Sequence, residues 1–387
     1  MANHSNSSTC PTSEVIASSV FFPVLLSVEV IIGLLSAPLN VILALVVLKT
    51  LVYPSNLRFL LSHLSVNIAW HSCGIVIKAI EMISRRVCDL SVSALQCRLT
   101  DLPITIPSGN IFYSLIGIGL ERMYCSIHYR TYEKKSAKPW LAVTFLSIIW
   151  IGSLTGNLYT LPLIPSDKFV PICESLLTIG SSDAIKALIS GGVMELIALL
   201  IIVCVSWWNR RELCNSAVNR AKFTLTERFQ LSQCVKVNKM LVPSIILHGV
   251  CFLPFIVLLM LVAYGLSIPI QLKWSLFHLA FIYRMLYSLL HPVLAFARDK
   301  HLRQHLVKCL PQWLLDLRDR LIRSKQVSGT GLVSNLNTHF NMLEGFWARP
   351  SEKNGMIPRV PGAKPGDDTG AKWAIAQKQF PKNIVKV

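Results

Sequence analysis

Seven long apolar stretches, at 20–48, 58–83, 99–125, 139–162, 184–208, 240–264 and 270–297, alternate with short polar connections along the chain. A helix rises ~1.5 Å per residue and the hydrocarbon layer is ~30 Å thick, so about 20 apolar residues suffice to cross it. Each stretch exceeds that length. Lipid gives the backbone no hydrogen-bond partner, which leaves helices and closed barrels as spanning structures. These stretches are too long and too continuously apolar for alternating barrel strands. The pattern predicts an all-α membrane protein, a seven-transmembrane helix bundle.

Composition agrees: 52% of the 387 residues are hydrophobic and 15% are charged. The net charge of +18 raises the question of nucleic acid, and the placement of the cations answers it. Lys49 and Arg58 follow the first stretch, Arg130, Lys134, Lys135 and Lys138 the third, and Arg210, Arg211, Arg220, Lys222, Arg228, Lys236 and Lys239 the fifth. The other connections hold Arg85, Arg86 and Lys168, and the chain after residue 297 is basic again. The positive-inside rule then sets the N-terminus outside and the tail in the cytoplasm. Attraction to anionic inner-leaflet lipid accounts for the basic excess, and no module for reading nucleic acid is present. Asn3-His4-Ser5 and Asn6-Ser7-Ser8 are glycosylation acceptors in the segment expected outside. The first apolar run starts late, is long and lacks a basic leader, so it reads as a span and not as a cleaved signal peptide.

The organisation expected is an extracellular N-terminal segment 1–19, a transmembrane domain 20–297, an amphipathic helix and basic juxtamembrane segment 298–323, and a mostly disordered cytoplasmic tail 324–387. Leu302, Leu306 and Leu310 recur four residues apart among basic residues, the pattern of a short eighth helix on the inner membrane face. Cys309 at its end is a candidate for palmitoylation. In the tail the apolar periodicity fades and Gly, Pro, Lys, Asn and Ser rise.

Ionisable residues inside spans are costly and face the bundle interior. Glu29, Lys78, Glu81, Asp101, Glu195 and Arg284 fall in the outer half or near the middle of their spans. Lys78, Glu81, Asp101, Glu195 and Arg284 are the candidates for a ligand pocket. Lys78 and Glu81, three apart, can pair within one helix. Arg284 has no acid within one turn of its own helix and needs a partner elsewhere, Glu195 or Glu81 being at compatible depth. Two readings stand for it: an interhelical ion pair that fixes packing, or the wall of a pocket for a polar or anionic ligand. His248 and His278 read as satisfied core histidines, and no metal or cofactor is expected. Of the 11 cysteines, Cys10, Cys88, Cys97 and Cys173 lie in segments expected outside, where disulfides form. The pairing is not fixed by sequence.

At the inner end of the third stretch stands Glu121-Arg122-Met123-Tyr124, continuing to Ile127-His128. Leu39-Asn40-Val41 lies in the first stretch, and Phe59-Leu60-Leu61 with Leu64-Ser65-Val66-Asn67 in the second. Trp150 is in the fourth, Cys251-Phe252-Leu253-Pro254 in the sixth and His291-Pro292-Val293-Leu294-Ala295 in the seventh. In order and spacing this set resembles the signatures of rhodopsin-like G-protein-coupled receptors, over residues of about 20–310. Pro54-Ser55-Asn56-Leu57-Arg58, Tyr124, Tyr132-Glu133 and His291-Pro292 resemble the nematode serpentine chemoreceptors of the alpha/beta type and their relatives.

The resemblance implies a Cys97–Cys173 disulfide that pins the second outer loop over the bundle. It implies an extracellular small-molecule or peptide ligand and a heterotrimeric G protein at the cytoplasmic side. Glu121, Arg122, Tyr124, Phe252, Pro254, His291 and Pro292 become the coupling and switch residues, with Asn40, Asn67 and Trp150 as the polar core. Phe252 is the candidate that senses the pocket and pushes on the sixth span. Asn67 and His291 replace two members of the cluster that holds sodium in many such receptors, so sodium binding is not expected. The location implied is the plasma membrane, including that of sensory cilia. The competing reading is a transporter or channel, which the odd span count and lack of repeats oppose. An enzyme is not expected, since no HExxH, GxSxG or phosphate-cradling Gly loop is present.

Overall fold

The computed structural model describes residues 21–84, 92–129, 132, 139–159, 161, 169–170, 173, 181–218, 223–264 and 269–309. Its helices are α1 (Phe21–Lys49), α2 (Ser55–Ser84), α3 (Ala94–Ile127), α4 (Trp140–Tyr159), α5 (Ser181–Val218), α6 (Leu225–Ala263), α7 (Ile270–Arg298) and α8 (Lys300–Cys309). Two short strands, β1 (Val92–Ser93) and β2 (Phe169–Val170), pair antiparallel with Val92 opposite Val170. Asn3, Asn6, Cys10, Cys88, Glu133 and the tail 324–387 lie outside the described residues, as does the side chain of Cys309.

Packing closes a ring. α1 lies between α2 and α7, α6 between α7 and α5, and α3 contacts α2, α4, α5 and α6. α1, α2, α4, α5, α6 and α7 are each long and apolar enough to cross a membrane. α3 is longer than α1, α2 or α4 but too polar along its length to join them by composition. The reason is its position. Arg98, Asp101, Asn110, Ser114, Glu121 and Arg122 on α3 are all buried against other helices, so it has little lipid-facing surface to make apolar.

The distribution of side chains is inverted relative to a water-soluble domain. Ile31, Leu34, Leu45, Ile77, Ile148, Ile151, Leu196, Leu200, Val250 and Leu253 point outward, while Ser36, Asn40, Asn67, Ser72, Asn110 and His291 are buried. This is how a chain arranges itself when the surrounding solvent is hydrocarbon. Small residues let the helices approach. A Cβ on Gly33 would stand 2.3 Å from Val76 Cγ2 and 3.3 Å from the Ser72 carbonyl oxygen. Beside it the Ser36 hydroxyl donates to Ser72 Oγ at 2.8 Å, joining α1 to α2.

Two boundaries differ from the hydropathy pattern. α5 and α6 extend well beyond 184–208 and 240–264, so Arg210, Arg211, Arg228, Lys236 and Lys239 stand on helices and not in a loop. Hydropathy marks only the part of a helix that meets lipid, and a capping box carries α6 further. Thr224 Oγ1 accepts from the Glu227 amide at 3.2 Å and Glu227 Oε2 accepts from the Thr224 amide at 2.8 Å. α8 is started by Asp299, whose Oδ1 accepts from the amides of His301 and Leu302 at 2.7 and 3.0 Å. Leu302 and Leu306 turn toward the bundle core, the former fully buried.

Because van der Waals packing is the main attraction between helices in lipid, the α1–α2 approach is sensitive to volume. Gly33→Val is expected to destabilise the folded bundle by ~1–3 kcal/mol, read as an earlier thermal unfolding transition of the detergent-solubilised protein. Gly156→Ala, where a Cβ meets nothing within 4 Å, is the control and leaves the transition in place.

Candidate functional site

At one end of the bundle, Cys97 in the first turn of α3 is joined to Cys173 with Cα atoms 5.2 Å apart. This bond and the β1–β2 pairing hold Phe169, Val170 and Cys173 against the start of α3. Beneath them lies a cavity of about 340 Å³. α2 and α3 contribute His71, Lys78, Asp101, Ser108 and Phe112, and α5, α6 and α7 contribute Leu188, Phe252, Phe255, Leu259, His278 and Arg284. Its floor is aromatic: Phe252 lies 4.6 Å from Phe112 and 5.2 Å from Phe255, centroid to centroid.

The charges around this cavity are answered in different ways. Lys78 pairs across helices with Asp101 at 2.8 Å, a partner on α3 that the intrahelical spacing of Lys78 and Glu81 did not suggest. Glu29 Oε1 meets His278 Nδ1 at 3.0 Å. Glu195 Oε1 lies 2.7 Å from His248 Nδ1, close enough for an ion pair but without the alignment of a hydrogen bond. Arg284 pairs with neither Glu195 nor Glu81. It donates to Ser108 Oγ, and its guanidinium carbon stands 5.6 and 5.3 Å from the ring centres of Phe112 and Phe255. Glu195 and Glu81 are not among the residues that line this cavity. The ion-pair reading of Arg284 is therefore corrected: Glu195 is taken by a histidine on α6, which the spacing along α5 and α7 cannot reveal.

The polar core is a set of direct hydrogen bonds. Asn110 Nδ2 donates to Asn67 Oδ1 at 3.0 Å, and Asn67 Nδ2 donates to the His63 carbonyl at 2.8 Å and reaches His63 Nε2 at 3.0 Å. His63 Nδ1 meets Ser114 Oγ at 3.0 Å. With Nε2 accepting, Nδ1 carries the proton and donates, and the circuit returns to α3 one turn from where it began. Trp150 sets its ring edge-on to His63. Asn40 Nδ2 bridges the Ser36 and Ser288 carbonyls at 2.8 and 2.7 Å, tying α1 to α7. His63 and Ser114 were not singled out by sequence; the four-residue spacings His63/Asn67 and Asn110/Ser114 were the available signal.

The opposite end holds a second cavity, of about 470 Å³, lined by Tyr132, beyond the end of α3, and by residues of α2, α3 and α6 that include Arg122, Cys125, Phe229 and Cys234. Arg122 is buried and donates from Nε and Nη2 to both carboxylate oxygens of Glu121. The Tyr132 hydroxyl donates to the same carboxylate. Burial and the adjacent Glu121 charge push the Tyr132 phenol well above its ordinary pKa, so it stays a donor. Tyr124 stacks on His128 with centroids 4.5 Å apart. Cys125 and Cys234 bring their sulfurs to 2.8 Å across α3 and α6.

A buried file of side chains leads from the first cavity toward this end along α6 and α7. Phe252 stacks on His248 at 5.6 Å, and His248 meets Tyr287 edge-on at 4.4 Å. The Tyr287 hydroxyl lies 3.4 Å from His291 Nδ1, and His291 Nδ1 lies 2.7 Å from Ser244 Oγ. One turn on along α6, Met240 Sδ lies 3.4 Å from the Tyr53 hydroxyl, which donates to Asp299 at the start of α8. Pro254 sits within α6 beside Phe252, and Pro292 within α7 beside His291.

A ring of apolar-faced helices around a polar interior, with one cavity under a disulfide and another around a buried Glu-Arg pair, defines a helical membrane receptor of the G-protein-coupled type. Residues 108–348 match the family described as the Sre G protein-coupled chemoreceptor, and the chain belongs to that family. It is also similar to serpentine receptor class alpha/beta-14 of Caenorhabditis elegans, at 22% identity over 292 residues, 70% of this chain and 73% of that protein. The family is one of chemosensory receptors, and the transporter reading has no support.

The hydrogen bond between Asn67 and Asn110 is the simplest part of the polar core to weigh. A double-mutant cycle with alanine at both positions, followed by unfolding in detergent, is expected to give a coupling energy of about 0.6 kcal/mol, and no more than ~2 kcal/mol.

Proposed function

We propose that this chain is a seven-span receptor with its N-terminus outside, binding a ligand in the cavity beneath the Cys97–Cys173 disulfide. A heterotrimeric G protein engages the cavity around Arg122, on the cytoplasmic side. α3 is counted as the seventh span: it is long enough to cross, and the helices around it screen its polar residues from lipid. α8 then lies along the inner membrane face, and the plasma membrane, including that of sensory cilia, is the location. Asn3 and Asn6 are outside and open to glycosylation, and Cys309 is the candidate for palmitoylation. The observation that carries this reading is the file from Phe252 to Asp299, because it gives a ligand on the cavity floor a contiguous path to the other end.

The mechanism follows from two packings of one bundle. A ligand against Phe252 that fits one placement of α6 better than another shifts the population toward it. Pro254 and Pro292 each remove one helical hydrogen bond and mark where α6 and α7 yield. At the far end, movement of α6 separates Cys234 from Cys125 and opens the cavity beside Arg122. Arg122 then exchanges Glu121 for a helix of the transducer. Tyr132 opposes that exchange while its hydroxyl holds Glu121.

Protease protection of tags at the two chain ends tests the topology, the ends being expected on opposite sides of the bilayer. Arg122→Ala is expected to abolish nucleotide exchange on the G protein while ligand binding persists; normal exchange would refute the coupling role. Tyr132→Phe removes a hydrogen bond to a charged group, worth ~1.5–3 kcal/mol. It is expected to raise ligand-free exchange by about tenfold or more, with no rise if Tyr132 holds both states alike. Oxidative cross-linking of Cys125 to Cys234 is expected to block ligand-stimulated exchange until a reductant is added, and Cys234→Ser is expected to be immune.

A further inference from the structure

Among the described residues, the cavity beneath the disulfide carries three fixed cations, Lys78, Arg98 and Arg284, against two carboxylates, Glu29 and Asp101. Lys78 is paired with Asp101 at 2.8 Å and Glu29 meets His278 at 3.0 Å. Arg98 donates to Asn157 Oδ1 at 3.0 Å near the rim. Arg284 differs from all of these. It is 91% buried, being 9% exposed, and among the described residues it has no carboxylate partner. Its one hydrogen bond goes to the neutral hydroxyl of Ser108.

A guanidinium presents five N–H donors and cannot shed its charge. Removing it from water without a counter-charge is strongly unfavourable. The rings of Phe112 and Phe255 offset part of that cost through their faces but offer no acceptor to the N–H groups. Among the described residues the site is therefore one anion short. We propose, resting on the reading of this cavity as the ligand site, that the ligand is an amphipathic monocarboxylate whose carboxylate pairs with Arg284 and whose apolar body lies against Phe252, Phe255 and Leu259. A carboxylate matches the planar fork of a guanidinium in two parallel hydrogen bonds. A dianion such as a phosphate monoester would leave one charge unanswered in a low-dielectric site. A volume of about 340 Å³ is at the small end of ligand cavities and suits one short chain or ring.

The assignment is tested by direct binding to the full-length receptor in lipid nanodiscs, read without a G protein. The probes are the straight-chain carboxylates from hexanoate to dodecanoate, their methyl esters and the matching alkylamines. At least one carboxylate is expected to bind, its ester and amine at least about 30-fold more weakly. Arg284→Leu is expected to lose the carboxylate by a similar factor, and Arg284→Lys by less. The ligand-free unfolding temperature of Arg284→Leu is expected to be no lower than that of the unsubstituted protein, because an unpaired buried cation is replaced by an apolar side chain. The proposal is overturned if no carboxylate binds, if ester and acid bind alike, if Arg284→Leu retains the acid, or if Arg284→Leu lowers the ligand-free unfolding temperature. Carboxylate binding without nucleotide exchange leaves the carboxylate assignment standing and removes the signalling reading. Exchange driven only by uncharged or cationic compounds does the reverse.

Discussion

A polar side chain surrounded by hydrocarbon has to find its hydrogen-bond partner inside the protein, and the bundle is arranged around that requirement. Outward faces of α1, α4 and α5 are aliphatic, and the serines, asparagines and histidines collect between helices. Each bridge so formed ties particular helices. Asn40 joins α1 to α7, the His63–Asn67–Asn110–Ser114 circuit joins α2 to α3, and Ser244–His291 joins α6 to α7. In lipid these bonds do not supply much net energy, since the separated helices find partners too. What they supply is register. A helix turned by one residue leaves a donor or acceptor unanswered at a depth where water cannot replace the partner.

Charge is handled differently at the two ends. Arg122 is fully answered: both oxygens of Glu121 accept from it, and Tyr132 holds the carboxylate in place. Arg284 is answered by a hydroxyl and two aromatic faces. A closed pair resists change until something competes for one partner. An incomplete one favours the arrival of a counter-charge. The first arrangement suits a latch, and the second suits a receiving site. Both follow from one rule, that a buried charge is tolerated to the extent that it is neutralised nearby.

Much of this was legible in the sequence, and the failures have physical causes. The apolar stretches located the helices because lipid demands continuous hydrophobicity wherever a helix faces it. They misjudged the ends of α5 and α6, where Arg210, Arg228 and Lys236 lie on helix that capping and helical hydrogen bonds sustain without lipid. α3 lacks the composition of its neighbours for the opposite reason, that it is enclosed. Lys78 and Arg284 were recognisable as interior charges, but their surroundings were not. Asp101 and Ser108 reach them from α3, and the rotation of α3 relative to α2 and α7 is fixed by packing that no local pattern records. β1 and β2, two residues each, have no periodicity from which to be read.

The same packing decides which helices can move. α3 touches α2, α4, α5 and α6, and its glycines are closely approached. A Cβ on Gly109 would meet Ser153 Oγ at 2.7 Å, and one on Gly119 would meet Ile201 at 3.2 Å. Displacing α3 would disrupt contacts on every side at once, along with the Asn67–Asn110 circuit. α6 is held more loosely. Its main neighbours are α5 and α7, Pro243 and Pro254 interrupt its hydrogen-bond ladder, and among the described residues its polar side-chain contact to α3 near Arg122 is that between Cys234 and Cys125. Close-packed interfaces are bistable and not continuously deformable, so a shift concentrates where the fewest contacts must change together. In the mechanism we propose, a side chain pressed from the cavity at Phe252 passes its displacement along α6 and α7, with α3 as the fixed post against which Arg122 is uncovered.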